Sequence, residues 1–126
     1  MTTQTSIINA CGIVPISFYN NEIYMLCGQE LNGAYCGFGG FMDDDETYIQ
    51  CSSRECYEES MGFFGTINEL YDKCNPEHPD YLGVLQYKNY LSYYIHIPYN
   101  PDMPVVYKNV YDYLKYSQCI PKIING

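Results

Sequence analysis

Three glutamates lie close together near the middle of the chain: Glu55, Glu58 and Glu59. On a helix, this spacing of i, i+3 and i+4 would project all three carboxylates from one face within a single turn. One interpretation is an ordinary solvated acidic face. The other is a site for a hard divalent cation such as Mg²⁺, which prefers oxygen ligands and binds substrate phosphates. The spacing alone does not decide between them.

Residues upstream of the glutamates extend the pattern. The segment reads Gly40-x5-Glu46-x7-Arg54-Glu55-Cys56-Tyr57-Glu58-Glu59. This pattern resembles the Nudix box of the Nudix hydrolase family. Six fixed positions of the box match in register, and the Gly39-Gly40 pair matches the double glycine that usually opens it. So many matches together should arise by chance in well under about one in a hundred thousand windows. The resemblance therefore favours the metal site over the solvated face.

The chain departs from the box at a few positions. Two residues, Ser60 and Met61, precede Gly62, where the family usually has one residue before glycine. Cys56 replaces a bulky aliphatic residue, and Phe38 stands where a proline often precedes the glycines. We expect the extra residue to shift the end of the helix without disturbing the three carboxylates.

The resemblance implies roles for six residues. Glu55, Glu58 and Glu59 would be catalytic residues and ligands of Mg²⁺ or Mn²⁺, and the carbonyl of Gly40 would be a further ligand. Arg54 and Glu46 would support the site. An arginine beside the acidic face can pair with a carboxylate and lower its pKa, and Glu46 before the helix would favour the helix dipole.

The implied activity is that of a pyrophosphohydrolase acting on a nucleoside diphosphate linked to a group X, with a free nucleotide or dinucleotide as the favoured substrate. Three alternatives stay open: mRNA decapping, hydrolysis of diphosphoinositol polyphosphates, and a non-catalytic nucleotide-binding module.

The net charge is −9, from 15 acidic and 6 basic residues. Such a charge disfavours long nucleic acid as a partner, although capped RNA is not excluded. Three tyrosines are candidate platforms for a base, although core positions are favoured for each: Tyr35, Tyr87 and Tyr94.

Composition indicates one folded domain over residues 1–126, with 47% hydrophobic residues. The seven cysteines contain no C-x-x-C pair and are odd in number, so we expect reduced, core-filling thiols in a cytoplasmic protein. Neither a signal peptide nor an apolar run long enough to span a membrane is found in the sequence. His78, His96 and the Asp43–Asp45 run are expected to be structural or solvated.

The order of elements predicts an α+β fold. Apolar periodicity and turn residues indicate a strand, a strand, a glycine-rich loop, two helices, two strands and a final helix. This order resembles the α/β/α sandwich of the Nudix family around a mixed sheet. The expected strands are 6–19, 22–27, 81–87 and 91–97, the loop is 33–40, and the helices are 47–61, 67–73 and 105–117.

Overall fold

The computed structural model describes residues 7–26, 28–29 and 35–102. The elements in this part of the chain are β1 (Ala10–Tyr19), β2 (Glu22–Met25), β3 (Gly28–Gln29), β4 (Tyr35–Cys36), β5 (Phe38–Phe41), α1 (Tyr48–Glu59), α2 (Ile67–Lys73), β6 (Tyr81–Tyr87) and β7 (Tyr90–His96). The predicted helix 105–117 lies outside the described residues. No helix within the described ranges is long and apolar enough to cross a membrane.

Five strands form one mixed sheet. Its hydrogen-bonded path is β2-β1-β7-β6, with β5 also paired to β1. The β1–β7 pairing is parallel, and the other pairings in this sheet are antiparallel. On the side of β1 opposite β7, two strands pair with successive parts of β1. Strand β5 pairs with Ala10–Ile13, and strand β2 pairs with Ile16–Tyr19. The predicted α+β fold with a mixed sheet is confirmed.

Alternate residues of β1 and β7 build the core on the sheet face that α1 covers. Cys11, Ile13 and Ile95 are fully buried there. Four cysteines of the core are buried and free, and they are Cys11, Cys51, Cys56 and Cys74. Reduced, core-filling thiols are thus confirmed at these four positions, whereas Cys27, Cys36 and Cys119 lie outside the residues whose side chains are described.

The glycine-rich segment is a strand where the sequence indicated a loop. In β5, Gly39 lies opposite Gly12 of β1, and the hydroxyl of Tyr90 lies over both glycines. A Cβ atom at either position would overlap this hydroxyl. These glycines therefore permit close packing of backbone and side chain, and the expectation of a loop at 38–40 is wrong for that reason.

Both central helices begin with a capping box. Thr47 and Gln50 cap α1, while Thr66 and Glu69 cap α2 over the predicted range. Helix α1 ends at Glu59, two residues before the predicted end. Met61 has a φ of 59° and Gly62 a φ of 72°, so the chain turns left-handed there and cannot continue as an α-helix.

Candidate functional site

Arg54 is the centre of the acidic cluster. Its Nε lies 2.6 Å from Oε2 of Glu46, and its Nη2 lies 2.9 Å from Oε1 of the same carboxylate. Its Nη1 donates to Glu55 at 3.0 Å and to Glu58 at 2.8 Å. A planar guanidinium suits such a bidentate arrangement because its donors point in fixed directions. One arginine thus ties three carboxylates together.

The loop between β5 and α1 fixes the outer part of this cluster. The carbonyl of Phe41 accepts a hydrogen bond from Nη2 of Arg54 at 3.1 Å, and the backbone N–H of Asp43 donates to Glu46 at 2.8 Å. Oδ2 of Asp43 also lies 3.5 Å from Nε of Arg54. The Asp43 side chain is nevertheless 71% exposed, and residues 43–45 are all exposed around a turn, so the predicted solvated turn is confirmed.

Glu46 contacts Arg54 rather than the end of the helix. The first turn of α1 is capped by Thr47 and Gln50, and the dipole role of Glu46 stays a prediction beside its ion pair with Arg54. The hydrogen bond from Arg54 holds the pKa of the Glu46 carboxyl below its usual value, and the same bond raises the pKa of Arg54. Both groups are therefore charged over the whole neutral range.

Gly40 lies directly against Glu55. A Cβ atom at Gly40 would be 2.6 Å from the carboxyl carbon of Glu55, which is closer than real Cβ contacts come. Strand β5 holds Gly40 in this place by pairing it with Cys11 of β1. The thiol of Cys51, on α1, donates to the Gly40 carbonyl at 3.6 Å. The first glycine of the motif and its first metal-ligand candidate are thus neighbours in space, although 15 positions separate them in sequence.

The three glutamates lie on the last turns of α1, and Glu59 is its final residue. The carboxylate side chains of Glu55 and Glu58 are 15% and 28% exposed. Among residues 7–26, 28–29 and 35–102, no three His, Cys, Asp or Glu side chains converge closely enough to hold a metal ion. The structure therefore brings Gly40, Glu46, Arg54, Glu55 and Glu58 together as an arginine-centred cluster.

A groove between α1 and α2 begins at this cluster and was not anticipated from the sequence. Its volume is about 510 Å³. Glu46, Gln50, Ser53 and Arg54 line one side, and Ile67, Asn68 and Tyr71 line the other. The i, i+4 spacing of Ile67 and Tyr71 on a short capped helix was the available signal, because it places both apolar side chains on one face.

The aromatic and histidine candidates lie elsewhere. Tyr87 is 73% exposed at the end of β6, and Tyr94 alternates with the core residue Tyr93, so it faces away from α1. The side chain of Tyr35 is outside the described part. His78 accepts a hydrogen bond from the Asp80 backbone at 3.0 Å, and Nδ1 of His96 lies 3.6 Å from a carboxylate oxygen of Asp80.

A smaller cavity of about 290 Å³ lies near the carboxyl end of β1. Ser17, Tyr24 and Tyr99 are among its lining residues. The ring of Tyr99 stacks on Tyr19 with centroids 4.3 Å apart. Ser17 is six residues along β1 from Cys11, the partner of Gly40, which corresponds to about 20 Å of strand. This cavity is therefore distinct from the arginine-centred cluster.

Comparison with known proteins supports the fold. No family model matches the chain, and no curated protein matches it. Among solved structures, the chain is similar to an Ap4A hydrolase of C. elegans, with 19% identity and a TM-score of 0.50 over 76% of this chain and 71% of that chain. A binary complex of a C. elegans Ap4A hydrolase matches with 17% identity and a TM-score of 0.47, covering 76% of this chain and 69% of that one. At such low identity, the first likeness shows a shared fold.

Proposed function

We propose that this protein is a Nudix-type hydrolase, dependent on Mg²⁺ or Mn²⁺, that cleaves a phosphoanhydride bond in a nucleoside diphosphate linked to a group X. The observation that carries the proposal is the contact of Gly40 with Glu55 inside a cluster in which Arg54 binds Glu46, Glu55 and Glu58. Every one of these residues is a fixed position of the motif. A dinucleoside polyphosphate is the favoured substrate, and the fold shared with the C. elegans Ap4A hydrolase agrees with it.

The donor atoms are of the type that a hard divalent cation prefers. The carboxylates would have to turn towards one another to hold it, because no three of them converge in the described residues. Carboxylate oxygens of Glu55, Glu58 and Glu59 and the carbonyl oxygen of Gly40 are the ligands that Mg²⁺ prefers. Because Gly40 has no Cβ, its backbone packs directly against the Glu55 carboxylate. A cation held by these residues would neutralise charge on the diphosphate and acidify the attacking water.

The side chains of the cluster would have two further roles, orienting the glutamates and accepting the proton of the attacking water. Arg54 orients Glu55 and Glu58, and Glu46 in turn fixes the guanidinium by two hydrogen bonds. In the proposed reaction, a water oxygen bonds to phosphorus while the bond to the bridging oxygen breaks. A glutamate carboxylate of α1 accepts the water proton. The leaving group departs with the bridging oxygen.

A non-catalytic nucleotide-binding module is the second candidate. It is favoured by one observation, namely that no three acidic, His or Cys side chains of the described residues form a ready metal cage. In that case Glu46, Glu55 and Glu58 would stay paired with Arg54 and would not bind a metal ion. Capped RNA and diphosphoinositol polyphosphates are weaker candidates, because the net charge of −9 opposes strongly anionic substrates.

A panel of phosphoanhydrides tests the proposal. Dinucleoside polyphosphates, nucleoside diphosphate sugars, nucleoside triphosphates, a cap analogue and a diphosphoinositol phosphate would be incubated with the protein, with and without Mg²⁺ or Mn²⁺. We expect metal-dependent hydrolysis, fastest on a dinucleoside polyphosphate. Saturable binding of a nucleotide without turnover at any metal concentration would instead establish the non-catalytic module.

A further inference from the structure

The groove between α1 and α2 has the composition of a small-molecule site. Ile67 and Tyr71 are 40% and 38% exposed, and they present adjacent apolar surface from one face of α2. The opposite wall carries the amide of Gln50 and the guanidinium of Arg54. Ligand pockets typically measure about 300–1,000 Å³ and combine apolar walls with a few polar groups. The volume of about 510 Å³ lies within that range.

The charges in the groove exclude a phosphate group as its occupant. Arg54 is its one cation among the described lining residues, and that guanidinium is already bonded to Glu46, Glu55 and Glu58. Glu46 contributes a negative charge on the same wall. A phosphate in the groove would be repelled by the Glu46 carboxylate, and the charge of Arg54 is already balanced by the carboxylates bonded to it. The groove therefore suits an uncharged group.

The groups that remain can recognise a planar heterocycle. Amides such as those of Gln50 and Asn68 offer both donors and acceptors. Gln50 lines the groove, and its carbonyl accepts the Thr47 N–H in the capping box, so its NH₂ group is the part of the amide that would bond a ligand. The Tyr71 ring supplies a face for stacking, and Ile67 supplies an aliphatic contact.

We infer that the α1–α2 groove holds the nucleobase of the nucleotide whose diphosphate binds at the glutamates of α1, with Tyr71 as its stacking partner. The inference rests on the proposed function, because Arg54 belongs to both the groove and the acidic cluster and so places base and diphosphate side by side. Tyr71 is then a specificity-determining residue, and it takes no part in the bond cleavage.

Steady-state kinetics of Tyr71 variants test the inference on the best nucleotide of the panel. Stacking on an aromatic side chain typically makes a contribution that corresponds to at least about 5-fold in affinity. We expect Tyr71→Ala to raise KM by about that factor or more, with kcat within about 2-fold of the parent. Tyr71→Phe keeps the aromatic ring, so its KM should be close to that of the parent. The matched controls are Tyr87→Ala, an exposed tyrosine of β6, and Tyr99→Ala, at the smaller cavity.

Binding of free nucleosides separates this inference from the proposed reaction. Adenosine, guanosine, cytidine and uridine would be titrated into the metal-free protein and followed by amide chemical shifts. We expect shifts centred on Gln50, Asn68 and Tyr71 for at least one nucleoside, and their loss in Tyr71→Ala. This readout does not depend on turnover, so an inactive protein that binds a nucleoside here would contradict the hydrolase proposal alone.

Two results would overturn the inference. One is an unchanged KM in a folded Tyr71→Ala together with a raised KM in Tyr99→Ala, which would place the base in the smaller cavity. The other is an absence of nucleoside-induced shifts along α1 and α2 in a protein that does hydrolyse nucleotides. Should Tyr71→Ala fail to fold, Asn68→Ala on the exposed surface of α2 provides the same comparison.

Discussion

Arg54 and Glu46 form a two-point ion pair, with Nε to Oε2 at 2.6 Å and Nη2 to Oε1 at 2.9 Å. The pair joins the loop after β5 to the middle of α1. It leaves Nη1 of the same guanidinium for Glu55 and Glu58. The orientation of the two glutamates therefore depends on a residue eight positions upstream of the arginine.

Replacing Arg54 by lysine should destabilise the protein and reduce activity. Lysine keeps the positive charge but cannot bond three carboxylates in fixed directions. The groups are largely buried, with 15% to 28% of the carboxylate side chains exposed. Loss of hydrogen bonds to such groups costs about 1–3 kcal/mol. Chemical denaturation of the purified variant measures this loss.

Lys73→Gln is the control for that experiment. Lys73 makes a single, longer contact with Asp80, at 3.8 Å. A pair of this kind contributes less than about 1 kcal/mol. If Lys73→Gln lowered the free energy of unfolding as much as Arg54→Lys, the arginine-centred cluster would contribute no more to stability than an ordinary surface ion pair.

The glutamates of α1 should separate catalysis from folding. Glu58→Gln or Glu59→Gln removes a charge from the proposed metal site while keeping the shape of the side chain. We expect turnover to fall by ~10²-fold or more. Glu58→Gln should also lose part of its bond with Arg54, so no gain in stability from reduced repulsion is expected at this position.

Glu69→Gln is the matched control on α2. The Glu69 carboxylate accepts a hydrogen bond from the Thr66 N–H at 2.9 Å within the capping box. Glutamine fills the same place in such boxes, so folding and turnover should both be retained. Equal activity in the Glu58, Glu59 and Glu69 variants would show that the acidic face of α1 is not the catalytic site.

Gly40→Ala should disable the site through a single methyl group. The added carbon would displace the Glu55 carboxylate, because it would lie 2.6 Å from the carboxyl carbon. The carboxylate is the end of a flexible side chain and can move aside, so the change should cost little stability. The rate of hydrolysis should therefore fall while the melting temperature stays close to that of the parent.

Gly83→Ala provides a comparison in which stability alone changes. Gly83 has a φ of 150°, which alanine rarely adopts, but a Cβ atom there would meet nothing within 4 Å. This variant should be less stable and retain the activity of its folded fraction. A similar loss of activity in both glycine variants would mean that the effect of Gly40→Ala is global.

Acid should weaken the protein in part through Glu46. Its pKa is lower in the folded chain than in the unfolded one, because Arg54 stabilises the carboxylate. Its contribution is therefore complete above the unfolded value, near pH 4.5, and is lost as the pH falls through the folded value. Glu46→Gln should be less stable than the parent at pH 7. The difference in stability between the two proteins should shrink as the pH falls below 4.5, and a difference that stayed constant on acidification would contradict the pairing.

The buried thiols should resist modification in the native state. Cys11, Cys51, Cys56 and Cys74 are each fully buried, and burial raises the pKa of Cys74 to about 12. A labelling reagent cannot reach a fully buried sulfur, so native labelling of these four should be negligible and labelling after unfolding complete. Peptide mapping by mass spectrometry identifies each residue. Rapid native labelling at any of the four would contradict the described core.

The sequence predicted both central helices and both hairpins because their signals are local. Capping boxes at Thr47 and Thr66 and the turn residues between strands act within a few positions. The strand at Phe38–Phe41 was missed because its glycines are explained by Tyr90, a residue far away in the chain. The motif identified the residues around Arg54, but the contact between Gly40 and Glu55 and the groove beside Tyr71 depend on how β5 and α2 pack against α1.

The glycine pair of β1 and β5 has a consequence for how this chain tolerates change. The register of β5 is fixed by Gly12 opposite Gly39 beneath the Tyr90 hydroxyl, and a slip of one residue would turn every side chain of β5 to the other face. The segment between Met25 and Phe38 connects two strands that pair with the same edge of β1. Insertion or deletion of a residue within β5 itself should therefore move Gly40 away from Glu55.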